Sequence, residues 1–352
     1  MKLPTPRQRE LYAILPDDSF SRLDDDDDAL FYAEPRLVSH LDPVALATIQ
    51  RIIGQLVVEP SPAILDLMAS WDSHLPEDLR PASVVGLGMN STELEQNPAL
   101  TARVVHDLNR EPTLPFDDDA FDVVINVASV DYLVHPLEVF REVGRVLRPG
   151  GLHLVLFSNR QFRTKAIKIW LEAGESERVW LVEDYFQQMG EQFEPHKVFS
   201  SLGKPRPPDD PYAEQGIPSD PVYAVYAIKA GAGADKPVRP EPESELGIPI
   251  DLEEVKRRKA EVHQTLCCPY CEQPLQKYEI SETPFVEWDN EYVYVCFNNR
   301  CTYYTSGWEV MREQGNFGYS YRLMYDHLRD KCMPVPTASA FAQAASFGAP
   351  RG

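Results

Sequence analysis

Between about Phe31 and Ala230 short apolar runs alternate with amphipathic stretches, and this alternation is the strongest constraint on the fold. Ala63–Leu67, Ser83–Leu87, Ala102–His106, Phe121–Val127 and Leu152–Ser158 read as buried strands, because an apolar run of about five residues is what a strand covered on both faces requires. Pro136–Leu147 places Leu137, Phe140, Val143, Val146 and Leu147 on one helical face, and Pro149-Gly150-Gly151 stops it. Gln161–Trp170 and Val179–Met189 are further predicted helices. Lys197–Ser201 and Val222–Lys229, joined by a long proline-rich loop, fit an antiparallel hairpin at the sheet edge. Strands alternating with helices imply an α/β fold, a doubly wound, mostly parallel sheet of seven strands.

The 352 residues leave room for about two domains. Residues 1–28 end in five aspartates, Asp24 to Asp28, and read as a flexible acidic segment; calcium binding would need spaced ligands and a turn glycine that the run lacks. Residues 29–230 form the α/β domain, 231–250 a linker by composition, and 251–333 a helix capped by Asp251 followed by a cysteine-rich domain; 334–352 read as a disordered tail. The formal charge of −21 repels a phosphate backbone, so nucleic acid is not an expected partner. No apolar stretch reaches the length of a membrane span, and the N-terminus lacks signal-peptide features. With six cysteines and no secretory pattern, the expected location is the cytoplasm.

In an open parallel sheet ligands bind beyond the carboxyl ends of the strands. The residues there are Asp66 to Trp71, Gly86 to Asn90, His106 to Asn109, and Val127 to Asp131. The stretch 114–159, with its LPF and FDVV elements, the helix carrying Glu142 and Arg145, and the LRPGG turn, resembles the second half of a class I S-adenosylmethionine-dependent methyltransferase of the type 11 group. The likeness extends more weakly over about residues 60–229. ILDLMASWDSHLP, VVGLGMN and HDLN are also similar to an uncharacterised branch of these proteins.

The resemblance implies methyl transfer from S-adenosylmethionine to an acceptor that the sequence does not identify. Its usual first motif is an acid followed by a glycine-rich turn. Here Asp66 is present, but Met68, Ser70 and Asp72 replace the glycines, and Gly88 stands where the second strand normally ends in an acid. The cofactor-binding residues then expected are Asp66, Met68 and Ser70 at the amino-acid end, Asn90 at the ribose, Asp107 and Leu108 at the adenine, and Ala128. His74 and His40 are candidate bases for a poor nucleophile, although a structural role is the commoner one for a lone histidine. Asn159 and Arg160 fall on the acceptor side, and Trp71 and Tyr132 are candidate walls. The competing expectation is a catalytically inactive scaffold of the same fold. The turn decides between them: Met68 and Trp71 either plug the strand ends or swing away and leave a cavity.

Cys268-Pro-Tyr-Cys271 and Cys296-to-Cys301 form two tight pairs around the strand-like Tyr292–Phe297. Four thiolates so paired resemble a zinc ribbon and predict one structural, closed zinc site at Cys268, Cys271, Cys296 and Cys301. A thioredoxin-type redox reading of the first pair requires a helix, which Pro274 opposes. Cys332 is expected to be free. The aromatics of this region, including Tyr303, Tyr304, Trp308, Phe317, Tyr319, Tyr321 and Tyr325, read chiefly as core. A docking face for a protein partner is the alternative.

Overall fold

A computed structural model describes residues 15, 18–202, 204–214, 217–231, 237–246, 252–280, 290–313 and 319–338. The chain divides into two compact units, one comprising residues up to Ala173 with Arg178–Glu245, the other Gly174–Glu177 with the residues from Leu246 onward.

The first unit is built on the strands β1 (Ala63–Leu67), β2 (Ser83–Gly88), β3 (Ala102–Val105), β4 (Phe121–Val127), β5 (Leu147–Phe157), β6 (Lys197–Leu202) and β7 (Val222–Ile228), with a two-residue β8 (Glu245–Leu246) added at the edge. Their order is β3-β2-β1-β4-β5-β7-β6-β8. β1 to β5 pair in parallel, while β7 runs antiparallel to both β5 and β6. The chain leaves the sheet centre at β1, so the carboxyl ends of β1, β2 and β4 open onto a switch point in strand order. Ile64 and Leu65 of β1 and Val123, Val124 and Ile125 of β4 are fully buried, as strands covered on both faces must be.

Around the sheet lie α1 (Asp28–Phe31), α2 (Pro43–Leu56), α3 (Ser91–Gln96), α4 (Pro136–Val146), α5 (Lys168–Glu172) and α6 (Glu175–Gln188). Sequence reasoning missed α2. Asp42 caps it by accepting from the Val44 and Ala45 amides, Pro43 starts it, and Ile49, Ile52, Ile53 and Leu56 enter the core. The helix expected over 136–147 ends one residue early, because Leu147 already belongs to β5.

Three expectations need correction. The segment 161–170 is not one helix. Residue 167 is extended, and the Lys168 and Ile169 amides donate to the Ser21 and Ser19 carbonyls at 2.8 and 2.9 Å, so a tertiary pairing displaces the helix. That pairing also corrects the acidic N-terminal segment: from residue 18 it is docked, and Asp28 is buried. Within the compositional linker, Arg239 pairs with Glu59 while donating to the Leu56 carbonyl, and Glu245 pairs with Arg51 at 2.8 Å and Lys204 at 2.7 Å.

The second unit carries α7 (Leu252–Thr265), β9 (Gln276–Glu279), β10 (Tyr292–Val295), α8 (Thr302–Glu313), β11 (Tyr319–Asp326) and β12 (Lys331–Ala338). Its antiparallel sheet has the order β12-β11-β10-β9. The tail expected to be disordered from Pro334 is paired with β11 as far as Ala338; the rest of it lies outside the described residues, as do Asp251 and Phe317.

Candidate functional site

Beyond the ends of β1, β2 and β4 lies a cavity of about 180 Å³. Asp66, Met68, Ser70, Asn90, Asp107, Leu108 and Ala128 all line it, as do His40 and His74, so the fold brings together the residues expected at the cofactor and the two candidate bases. Trp71 and Tyr132 are also in its wall; Asn159 and Arg160 are not, and Arg160 pairs with Asp220 at 2.9 Å.

The glycine-poor turn leaves the cavity open. Met68 adopts φ 60°, a left-handed conformation normally left to glycine. The chain then leans on β2: the Ala69 amide donates to the Leu87 carbonyl at 2.8 Å. Trp71 stays in the wall rather than filling the space, its Nε1 donating to the carbonyl of Val38, another lining residue, at 3.3 Å. Gly88 follows from the same contact. A Cβ at that position would stand 2.2 Å from the Ala69 carbonyl oxygen, so the acid common at this place in related sheets is sterically excluded.

Asp66 is buried at the end of β1, and its Oδ2 has no hydrogen-bond partner; burial pushes its pKa up to about 7, against the Ser73 hydroxyl and His74. Asp107 uses Oδ1 to accept from the Asn109 and Arg110 amides at 2.9 and 3.2 Å. Among the described residues nothing donates to its Oδ2. Leu108 beside it is buried.

Asn90 lines the cavity, but most of its hydrogen bonds are taken by the fold. Its Oδ1 caps α3 by accepting from the Glu93 amide at 3.0 Å, and its Nδ2 donates to the Tyr32 and Ala33 carbonyls at 2.8 and 3.1 Å. With both Nδ2 hydrogens committed to the fold, this side chain keeps only the second lone pair of Oδ1 to offer a ribose hydroxyl. The acid near the end of β2 is Glu93, which lines the cavity while accepting from Ser70 Oγ at 2.6 Å and the Arg36 amide at 2.7 Å. Each of its oxygens keeps a second lone pair. An acid at N3 of a helix capped by Asn is the sequence signal that could have found it.

His74 Nδ1 lies 3.1 Å from Asp72 Oδ2. His40 sits at the rim, its ring edge-on to Phe162 with centroids 5.0 Å apart; burial and the nearby Arg36 charge hold its pKa below the usual histidine value. Sequence reasoning also missed Asp28, Tyr32, Arg36 and Phe162, which line the cavity too, as does Asn109 beyond the end of β3. Asp28 is held by Arg22 Nη1 at 2.7 Å, Lys165 Nζ at 3.1 Å and Asn109 Nδ2 at 2.9 Å; burial alone would raise its pKa, but these donors bring it below the usual carboxylate value.

In the second unit the Sγ atoms of Cys268, Cys271, Cys296 and Cys301 lie within 4.8 Å of one another, with Cys268 to Cys301 at 3.8 Å and Cys271 to Cys296 at 3.6 Å. Sulfurs at ~2.3 Å from a tetrahedral zinc stand ~3.8 Å apart, so the four thiols fit one such ion. After Cys271 the chain turns at Glu272, φ 57°, rather than entering a helix, which removes the geometry of the redox reading. Tyr270, Tyr294, Tyr303 and Tyr304 pack against the cysteines. Cys332 lies on β12 opposite Tyr325, outside the cluster.

Residues 73–155 match the family described as Methyltransferase domain. Over 81 residues the chain is 40% identical to a phthiotriol/phenolphthiotriol dimycocerosates methyltransferase of Mycobacterium tuberculosis, covering 22% of this chain and 30% of that protein. It is 41% identical over 88 residues to a fatty-acid O-methyltransferase of Mycolicibacterium smegmatis, covering 23% and 31%. The chain thus spans under a third of the length of these relatives. A solved complex of the Trm112 methyltransferase activator and a methyltransferase, from Haloferax volcanii, overlays 53% of this chain and 90% of that one at 16% identity and a TM-score of 0.39. No described helix is long and apolar enough to cross a membrane. With its strand order, its strand-end cavity and the match over 73–155, the chain carries a class I methyltransferase domain, joined to a unit with a zinc-ribbon-like cysteine cluster.

Proposed function

We propose that the cavity binds S-adenosylmethionine and that the protein transfers its methyl group to an acceptor that the cavity does not identify. The observation that carries this reading is the open cavity itself, with two acceptor atoms, Asp66 Oδ2 and Asp107 Oδ2, left without protein donors beside it. When bound, the cofactor supplies an electrophilic methyl group, and the chemistry asks mainly for alignment and exclusion of water. Asp66 and the backbone from Met68 to Ser70 hold the amino-acid end. Glu93, beside Asn90, accepts from the ribose hydroxyls. Asp107 accepts from the adenine amine over the apolar floor of Leu108, and Ala128 completes the wall. His40, kept neutral at the rim, and His74, oriented by Asp72, are the groups able to take a proton from an acceptor hydroxyl. The cysteine cluster holds one structural zinc, with no position left open for catalysis.

Calorimetry with S-adenosylhomocysteine on the purified chain tests this. Binding is expected, and Asp107→Ala should weaken it by roughly 1–3 kcal/mol, the cost of a buried donor left unpaired. Absence of binding by the wild type would favour the inactive scaffold.

A further inference from the structure

The acidic run meets the cavity through one residue. Asp28 lines it, and the carboxylate is 3% exposed between the Arg22 guanidinium, which approaches both oxygens at 2.7 and 2.8 Å, and the fully buried Lys165 ammonium. Lys165 is wrapped by the run itself. Its Nζ reaches the Asp26 carbonyl at 2.9 Å and the Asp24 carbonyl and carboxylate, each at 3.2 Å. Backbone pairing of Asp24 with Thr164 and of Ser21 with Lys168 fixes the same register. Removing Asp28 would leave the two buried cations only the more exposed carboxylates of Asp24 and Asp25.

Asp28 also reaches across the cavity wall. Asn109 Nδ2 donates to Asp28 Oδ2 and to the Tyr132 carbonyl, both at 2.9 Å, and Asn109 Oδ1 accepts from the Val134 amide at 2.9 Å. The Asn109 backbone amide in turn donates to Asp107 Oδ1 at 2.9 Å. The N-terminal segment is therefore linked to Asp107 through one residue, Asn109, whose side chain holds Asp28 and whose backbone amide holds Asp107.

We infer that Asp28 is a positioning residue of the cofactor cavity, acting through Asn109 to set the Asp107 carboxylate and tying the N-terminal segment to the occupied site. The inference rests on the cofactor reading above. It makes the segment part of the site: binding at Asp107 favours the docked segment, and undocking weakens binding.

The test is S-adenosylhomocysteine affinity, by calorimetry on the full-length chain, for wild type, Asp28→Asn, Asn109→Ala and the double variant, each with its thermal unfolding. Each single variant is expected to bind about tenfold more weakly. The double variant should bind no more weakly than the worse single one, because both remove the same link. Losses that multiply in the double variant, or an Asp28→Asn protein of wild-type affinity whatever its melting temperature, would overturn the positioning role while leaving the cofactor reading intact. Should Asp28→Asn not fold, Asn109→Ala decides alone, since it leaves the Arg22–Asp28–Lys165 set in place; wild-type affinity there overturns the inference. A wild type that binds no S-adenosylhomocysteine overturns both.

Discussion

The cysteine cluster and the strand-end cavity each gather side chains within a few ångströms, but from very different lengths of chain. The four thiols come from two knuckles, each closed by a few residues, so only one long-range step is needed to bring the pairs together. The cavity draws on residues from Asp28 to Phe162, brought together by the sheet order. Local assembly makes a site readable from spacing and dependent on one ligand. Distributed assembly hides contributors and spreads the cost of losing any one of them.

The largest expected effect falls on the local site. Structural zinc contributes on the order of 10 kcal/mol in small metal-dependent domains. Cys271→Ser should therefore abolish stoichiometric zinc, measured by metal analysis, and unfold the second unit by circular dichroism, while S-adenosylhomocysteine binding by the first unit persists. Loss of cofactor binding in this variant would break the contrast between the two regions.

Next is Gly88→Asp, which restores the acid common to related methyltransferases. Here it should harm. The added Cβ would strike the Ala69 carbonyl, so overpacking of about 3 kcal/mol is expected in thermal unfolding, together with weaker cofactor binding. Improved binding would refute the account of the rebuilt turn.

A smaller effect separates fold from site. His153 on β5 is buried among Phe140, Phe186 and Phe193, and neither ring nitrogen has a partner. Burial pushes its pKa down to about 3. The unfolded chain takes up this proton below about pH 6.5 and the folded chain does not, so the neutral ring's contribution is full above that pH. It is lost as pH falls toward 3, by ~1.4 kcal/mol per pH unit, or about 2 kcal/mol at pH 5. His153→Leu should flatten that part of the stability–pH curve measured by denaturant unfolding. An unchanged slope would show that the ring is protonated in the fold.

The smallest is Trp71→Phe. Losing the bond to the Val38 carbonyl should cost about 0.5–1 kcal/mol and leave cofactor affinity within about threefold. A much larger loss of affinity would make Trp71 part of the binding surface.

Strand composition alone located β1, β2, β4, the second half of β5 and β7, because residues covered on both faces have to be apolar whatever surrounds them; β3, which the same reading took as buried, is largely exposed at the sheet edge. Spacing alone paired the cysteines, since ligand geometry is closed within each knuckle. The strand-end rule likewise named Asp66, Ser70 and Asp107, whose places depend only on where a strand stops. Tertiary structure decided the rest. Asp28 is chemically indistinguishable from Asp24 to Asp27 in the sequence, and only the burial of Lys165 and the reach of Asn109 select it. The pattern at 161–170 suits a helix, but pairing with residues 19–24 offers its backbone other partners. Asn90 matched a binding position, yet its amide was needed to cap α3 and hold the chain at Tyr32 and Ala33. A polar side chain has few hydrogen bonds to give, and which partner takes them is settled by the chain that happens to pack beside it.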